Sequence, residues 1–397
     1  MSIFTVEIMR PGEFGLNTSA TLGMPANWTE LKDAKQKARI TDDKATYAYE
    51  LLNCKHDWLR PHIPQNADLL ELNLLAARME RYINEEMDVF EAMVKIETNR
   101  NDGKPIPFPR LINLAFSTDN CHVAENVTSD ALLGRFLYRN DFLADEDIKA
   151  VQARIDSKQP LSEIFAMLGK EHRVSEGGVF TTSGCYVEFD GSVIEIYTSG
   201  KKTYFDRSGA PVILKLTRDH ESALLNLPEP HLYEMEAAKG KLGVENLEDC
   251  SFKCEDCLIP VAKEWINIAQ DIKQTASFAR ELKYMELHGG VTEYKALLEA
   301  AKCDDLDTAL KLADGIAGYQ LSAEYSGPED YARDALKKPA FKGGGIDLSP
   351  YLNLYSFGQA LMERDHVVET SYGILSRKDG GPVLSQTDAP CISMEMR

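Results

Sequence analysis

Gly169-Lys170-Glu171, followed by Thr181-Thr182-Ser183-Gly184, returns in outline 189 positions later as Gly358-Gln359-Ala360, followed by Thr370-Ser371-Tyr372-Gly373. Working outward, Leu31-Lys32-Asp33-Ala34 is matched by Met235-Glu236-Ala237-Ala238, and Phe90-Glu91-Ala92-Met93 by Tyr294-Lys295-Ala296-Leu297, both at an offset of 204. Ile112-Asn113-Leu114-Ala115 is matched by Leu310-Lys311-Leu312-Ala313 at 198, Met24-Pro25 by Leu227-Pro228, and Ala77-Arg78 by Ala279-Arg280. Matches that keep their order while their offset drifts are what loop deletions leave between two copies of one unit. A chain of 397 residues also exceeds what one hydrophobic core usually serves. The expectation is two tandem copies. The first, residues 1–205, divides into a mixed α/β start (1–65), a helical middle (66–140) and a helix plus β-hairpin (141–205). The second, more divergent, is residues 206–397, divided at 206–270, 271–337 and 338–397. The fold class is α+β, built from small mixed modules in an elongated multi-domain chain.

Local patterns fill in the modules. Residues 3–9 alternate as a strand does. Thr29 stands where it can cap a helix whose apolar face is Leu31, Ala34 and Ala38. Residues 45–52 read as a strand, and helices are expected from Asp68, from Asn84, over 110–116, from Ser129 and from Asp145. Asp190-Gly191 predicts a tight turn between strands 179–189 and 193–198. In the second half, 212–216 reads as a strand, 233–242 as a helix, and Ser326-Gly327-Pro328-Glu329 as the capped start of a helix at 331–336. Residues 337–345 read as a flexible joint, and the tail past Lys378 as poorly ordered.

The net charge is -19. Residues 1–205 carry 23 basic and 31 acidic side chains and residues 206–397 carry 21 and 32, giving -8 and -11. Acidity is therefore shared by both halves. It argues against direct nucleic-acid binding and against anionic membranes, and it favours a basic protein surface as partner. No apolar run is long enough for a membrane span, and the first residues lack a signal-peptide pattern, so cytoplasmic residence with reduced thiols is expected.

Catalytic signatures are missing. No phosphate loop, G-x-G-x-x-G, G-x-S-x-G or paired-histidine motif occurs, and neither an enzyme nor a cofactor is expected. Cys250, Cys254 and Cys257 cluster as zinc ligands do. They lack a nearby fourth ligand, so no metal is assigned to them; Cys303 or His231 would have to complete a site through the fold. Cys121 beside His122 does not make a dyad, since neighbouring residues rarely face each other in a helix or strand. The acidic residues form clusters instead: Glu80, Glu85, Glu86, Asp88 and Glu91; Asp141, Asp145, Glu146 and Asp147; Glu248, Asp249, Glu255 and Asp256; Glu324, Glu329 and Asp330. Solvated helix ends are the ordinary reading of such runs. The sharper one is a partner-binding surface, because carboxylates spaced along a rigid body can occupy a groove built for DNA phosphates.

Residues 72–79, 88–94 and 110–121, together with Glu176-Gly177-Gly178-Val179-Phe180, resemble ArdA-type antirestriction proteins of phages and conjugative elements. The likeness covers most of 25–190 and is fainter over 228–375. It implies an elongated chain of small α/β modules with an acidic surface imitating bent DNA, acting in the host bacterial cytoplasm. The partner implied is a type I restriction-modification complex, with homodimers known in the family. The competing expectations are an inhibitor of another defence complex that uses a non-mimic surface, and a zinc or enzymatic module in the second copy.

Overall fold

The computed structural model describes residues 2–11, 18–40, 46–65, 67–198, 209–230, 232–338 and 351–384. Much of residues 337–345, the end of the tail, and His231 lie outside these residues. The chain is α+β. Its first half runs β1 (Phe4–Met9), β2 (Ala20–Met24), α1 (Trp28–Lys37), β3 (Ala48–Cys54), α2 (Leu69–Glu80), α3 (Asn84–Arg100), α4 (Phe108–Ala115), β4 (Cys121–Ala124), α5 (Asp130–Arg139), α6 (Asp145–Asp156), α7 (Ser162–Glu176), β5 (Val179–Phe180) and β6 (Tyr186–Phe189). Its second half runs β7 (Val212–Arg218), β8 (Glu221–Leu227), α8 (Leu232–Leu242), β9 (Ser251–Cys257), α9 (Ala262–Ala269), α10 (Ile272–His288), α11 (Val291–Ala300), α12 (Leu306–Ala313), β10 (Tyr319–Ser322), α13 (Pro328–Lys337), α14 (Leu354–Arg364), β11 (Val368–Thr370) and β12 (Gly373–Arg377).

Sheet orders run in parallel: β2-β1-β3 and β8-β7-β9, then β4-β6-β5 and β10-β12-β11. Met24-Pro25 and Leu227-Pro228, which precede α1 and α8, are both cis. Contacts divide the chain into two units. Unit 1 comprises Met1–Val6, Gly23–Ala26 and Glu50–Tyr204, and unit 2 comprises Glu7–Leu22, Asn27–Tyr49 and Phe205–Arg397. Helix α1 therefore belongs to unit 2, where a cut at residue 205 would have put it with the first half.

In unit 1, α2 buries Leu72, Leu75, Ala76 and Met79, and α3 buries Phe90, Met93 and Val94. In unit 2, Phe278, Ala279 and Leu282 of α10 and Tyr294, Leu297 and Leu298 of α11 join Val212, Leu214 and Leu216 of β7 in one core. Burial pairs Ala76 with Ala279, one step away from the Ala77-Arg78 to Ala279-Arg280 match suggested by sequence.

The opening sequence motif now has a physical meaning. A Cβ on Gly169 would lie 1.9 Å from the Asp130 carbonyl oxygen, and one on Gly358 would lie 1.9 Å from that of Pro328. Each glycine lets two helices, α5 with α7 and α13 with α14, touch backbone to backbone. Gly184 and Gly373 have φ of 99° and 144° and close the following turns, a region where a side chain is strained. Gly169→Ala and Gly358→Ala should each cost about 1–3 kcal/mol, the range for an overpacked contact. Gly240→Ala, in α8 with open space around it, should be neutral or stabilising by up to about 1 kcal/mol. Urea unfolding of the three variants checks this.

Several local readings are corrected. The hairpin is β5-β6, turning at residues 181–185, while Asp190-Gly191 leads into residues 192–198, which form no strand. That segment is held by side chains: Asn113 Oδ1 accepts from the Tyr197 amide at 2.7 Å, and Ser117 Oγ accepts from Ile194 at 3.0 Å. The cap of α1 is Asn27, whose side chain accepts from Glu30 while Glu30 accepts from the Asn27 amide. At α13 the N-cap is Gly327, and Ser326 gives its amide to Asp330. Strands β8 and β9 were not expected.

Candidate functional site

Helix α1 presents two faces. Leu31, Ala34 and Ala38 are apolar and buried, and Thr29 and Asp33 are polar and buried too. Burying a polar face demands partners, and α11, β9 and the β11–β12 hairpin supply them within unit 2. Asn27 and Thr29 donate to Asp256 Oδ1, Lys263 Nζ meets Glu30 Oε1 at 2.7 Å, and Gln36 Nε2 meets Thr292 Oγ1 at 3.0 Å. At the centre Lys295 Nζ lies 2.6 Å from Asp33 Oδ1 and 3.0 Å from Gln36 Oε1. The Tyr372 hydroxyl donates to the same Asp33 oxygen at 2.8 Å, and Lys37 Nζ reaches the other at 3.0 Å. The Asp33 and Lys295 side chains are only 9% and 3% exposed.

Burial opposes both charges. At Asp33 the lysines Lys295 and Lys37 outweigh it and hold the carboxyl below its usual range. At Lys295 burial outweighs Asp33 and pulls the ammonium below its usual range. Burial and the facing Asp33 push the Tyr372 hydroxyl up. A carboxylate saturated by three donors is no free base, so the cluster is a joint between helices. A hollow of about 210 Å3 opens beside it, lined in part by Trp265, Glu299 and Cys303.

Unit 1 has a carboxylate at the matching helix position but uses it differently. Glu91 Oε1 accepts from Lys95 Nζ at 2.6 Å, from the Thr182 amide at 2.9 Å and from the Thr182 hydroxyl. In unit 2 the same service to the hairpin turn comes from Glu299, which accepts from the Ser371 amide at 2.7 Å and from its hydroxyl. The position of Glu91 is taken there by Lys295.

Two of the acidic candidates are therefore not surface groups. Glu91 and Asp256 are 4% and 7% exposed and are spent on internal hydrogen bonds. Glu86 pairs with Arg78 at 3.2 Å, Asp88 accepts from the Cys185 thiol at 3.7 Å, and Asp147 and Asp330 are half-buried. Glu248 and Glu329 are exposed and pair with Lys273 and Arg333. Glu80, Glu85, Asp141, Asp145, Glu146, Asp249, Glu255 and Glu324 are exposed and hold no ion pair among the described residues. Asp145 and Glu146 sit in the first turn of α6, where the helix dipole stabilises carboxylates without neutralising them.

Cys250, Cys254 and Cys257 are core residues. Cys254 alternates with Phe252 and Asp256 on the buried face of β9, and Cys250 and Cys257 are also buried. Burial pushes the Cys254 thiol up to about 12 and raises those of Cys250 and Cys257. Among the described residues no group of three or more metal-ligating side chains is placed to hold a metal. Cys121, on β4, is likewise pushed up to about 12 by burial. No described helix is long and apolar enough to cross a membrane. Comparison of the chain with protein-family models, with curated proteins and with solved structures finds no match.

Proposed function

We propose that this chain is a fused duplication of an ArdA-like unit and acts as an acidic DNA mimic. It would occupy the DNA-binding groove of a host type I restriction-modification enzyme in the bacterial cytoplasm, without chemistry or a cofactor of its own. The observation that carries the reading is the set of exposed carboxylates in both halves that have no ion pair among the described residues, on a chain whose halves carry -8 and -11. An ordinary surface interleaves charges of both signs. Here Glu85, Asp145 and Glu146 stand in first turns of helices, Asp141 and Glu324 in turns, Glu80 at the end of α2 and Glu255 on β9, and their field favours a cationic groove. The paired sheet orders support the duplication.

The test mixes the purified chain with a type I methyltransferase complex and labelled duplex DNA. Displacement of the DNA that weakens as salt rises is the expected result. Absence of displacement at any salt would discard the restriction target and leave an inhibitor of another defence complex as the remaining reading.

A further inference from the structure

We infer that a cleft in unit 2, between the loop at the cis proline Pro228 and the C-terminal half of α10, binds a short apolar peptide with free ends. Its amine meets Glu229 and Glu234, and its carboxylate meets Arg280. The cleft has a volume of about 580 Å3, within the roughly 300–1,000 Å3 of small-ligand sites. Leu227 and Pro228 give it apolar walls on one side, and Tyr284 and Leu287 of α10, 60% and 69% exposed, do so on the other. Glu229 lies in the loop, Glu234 on α8 and Arg280 on α10, and none of the three has an ion pair or a side-chain hydrogen bond among the described residues. Opposite charges thus line one cleft without meeting. The side-chain amide of Asn226, also in the wall, is uncommitted in the same sense. Lys283, the other cation there, already faces Glu286 at 3.7 Å and is given no role.

Comparison of the two copies, which rests on the duplication proposed above, shows what opened the cleft. Pro25 and Pro228 are 203 positions apart. At the same spacing the buried Leu72, Leu75, Ala76 and Met79 of α2 fall on the buried Thr275, Phe278, Ala279 and Leu282 of α10. In unit 1, Asn73 of α2 clamps the loop after its cis proline: Asn73 Oδ1 accepts from the Ala26 amide at 2.7 Å and Nδ2 donates to the Ala26 carbonyl at 3.0 Å. The counterpart of Asn73 is Ala276, which has no amide to offer. The polar groups of the cleft are also peculiar to the second copy. Asn226, Glu229 and Arg280 stand where the first has Gly23, Ala26 and Ala77. An anion alone would meet two carboxylates, and a cation alone would meet Arg280. A zwitterion with an apolar body satisfies both signs, and the guanidinium fork matches a carboxylate.

The experiment is titration calorimetry of the full chain with leucine, leucylleucine and leucylglycylleucine, and with the same peptides N-acetylated or C-amidated. Circular dichroism confirms the folding of each variant. The expected result is saturable binding of the free peptides, weakened about ten-fold or more by blocking either end, as the loss of a charged hydrogen bond implies. Arg280→Gln should weaken the free peptide to the same degree and leave the C-amidated one unchanged. Glu229→Gln with Glu234→Gln should do so for the N-acetylated form. Ala276→Asn, which gives unit 2 the clamp of unit 1 without altering a residue of the wall, should also weaken binding. No binding of either peptide at several times about 1 mM would overturn the assignment, as would binding indifferent to blocked ends and to Arg280→Gln. Leucine bound as tightly as the peptides would overturn the peptide as ligand. DNA displacement by Arg280→Gln measures the restriction target separately.

Discussion

Asp33→Asn should lower the stability of unit 2 by about 3–5 kcal/mol, the cost of leaving a buried charge without its partner. Lys295 Nζ would keep Gln36 as an acceptor at 3.0 Å but lose the carboxylate with which it is paired. Lys295→Met leaves a carboxylate that still has Lys37 and Tyr372, so its penalty should be smaller. Asp33→Leu combined with Lys295→Met removes both charges and should recover much of the loss, a non-additivity that a double-mutant cycle reads directly. In urea the Asp33→Asn chain should show an early transition from unit 2. The sign of the pH effect follows from the depressed carboxyl of Asp33. Its contribution is complete above the unfolded value of about 3.9 and is lost as pH falls through the lower folded value. The gap between wild type and Asp33→Asn should therefore be full at neutral pH and close in acid. A variant that unfolds at the wild-type urea midpoint at neutral pH would show that the ion pair contributes nothing net.

What the sequence revealed and what it hid have separate physical causes. The paired Gly169/Gly358 and Thr181/Thr370 signals were visible because close helix approach and a tight turn each leave few residue choices. The helices were visible because apolar periodicity is a local signal, and α3 and α11 keep it residue for residue over 90–94 and 294–298. Strand β9 is hidden because the spacing of its cysteines also fits metal ligands. Read as small hydrophobes, Phe252, Cys254 and Asp256 would have shown the alternation, although a buried aspartate breaks even that pattern. The Asp33–Lys295–Tyr372 joint had no local trace, since its members lie 262 and 339 positions apart. The one available hint is Lys295 itself, a lysine between Tyr294 and Ala296 at the position where the first half has Glu91. Burial of Glu91 and Asp256 is illegible in the sequence for the same reason. Their partners, Thr182 and Asn27, are remote in sequence.

Neutralising exposed acids should weaken inhibition without unfolding the chain. Asp141→Asn, Asp145→Asn and Glu146→Gln together remove three unpaired carboxylates from the start of α6 and the turn before it. Exposed charge pairs are worth roughly 0.2–1 kcal/mol each, so the triple variant should lose about three- to a hundred-fold in inhibitory potency and show a flatter dependence on salt. Its stability should stay within about 0.5 kcal/mol per site. Asp249→Asn, Glu255→Gln and Glu324→Gln make the same test on the second half, and comparing the triples shows which half meets the target. Glu91→Gln and Asp256→Asn are the discriminating controls. Both remove a negative charge, but from the interior, so they should lower stability and leave the salt dependence of inhibition as it was. If instead both exposed triples inhibit as wild type does while the buried variants fail, the carboxylates serve the fold and the target reads some other surface. The exposed apolar pair Leu232 and Tyr233 at the start of α8 would then be the next surface to test.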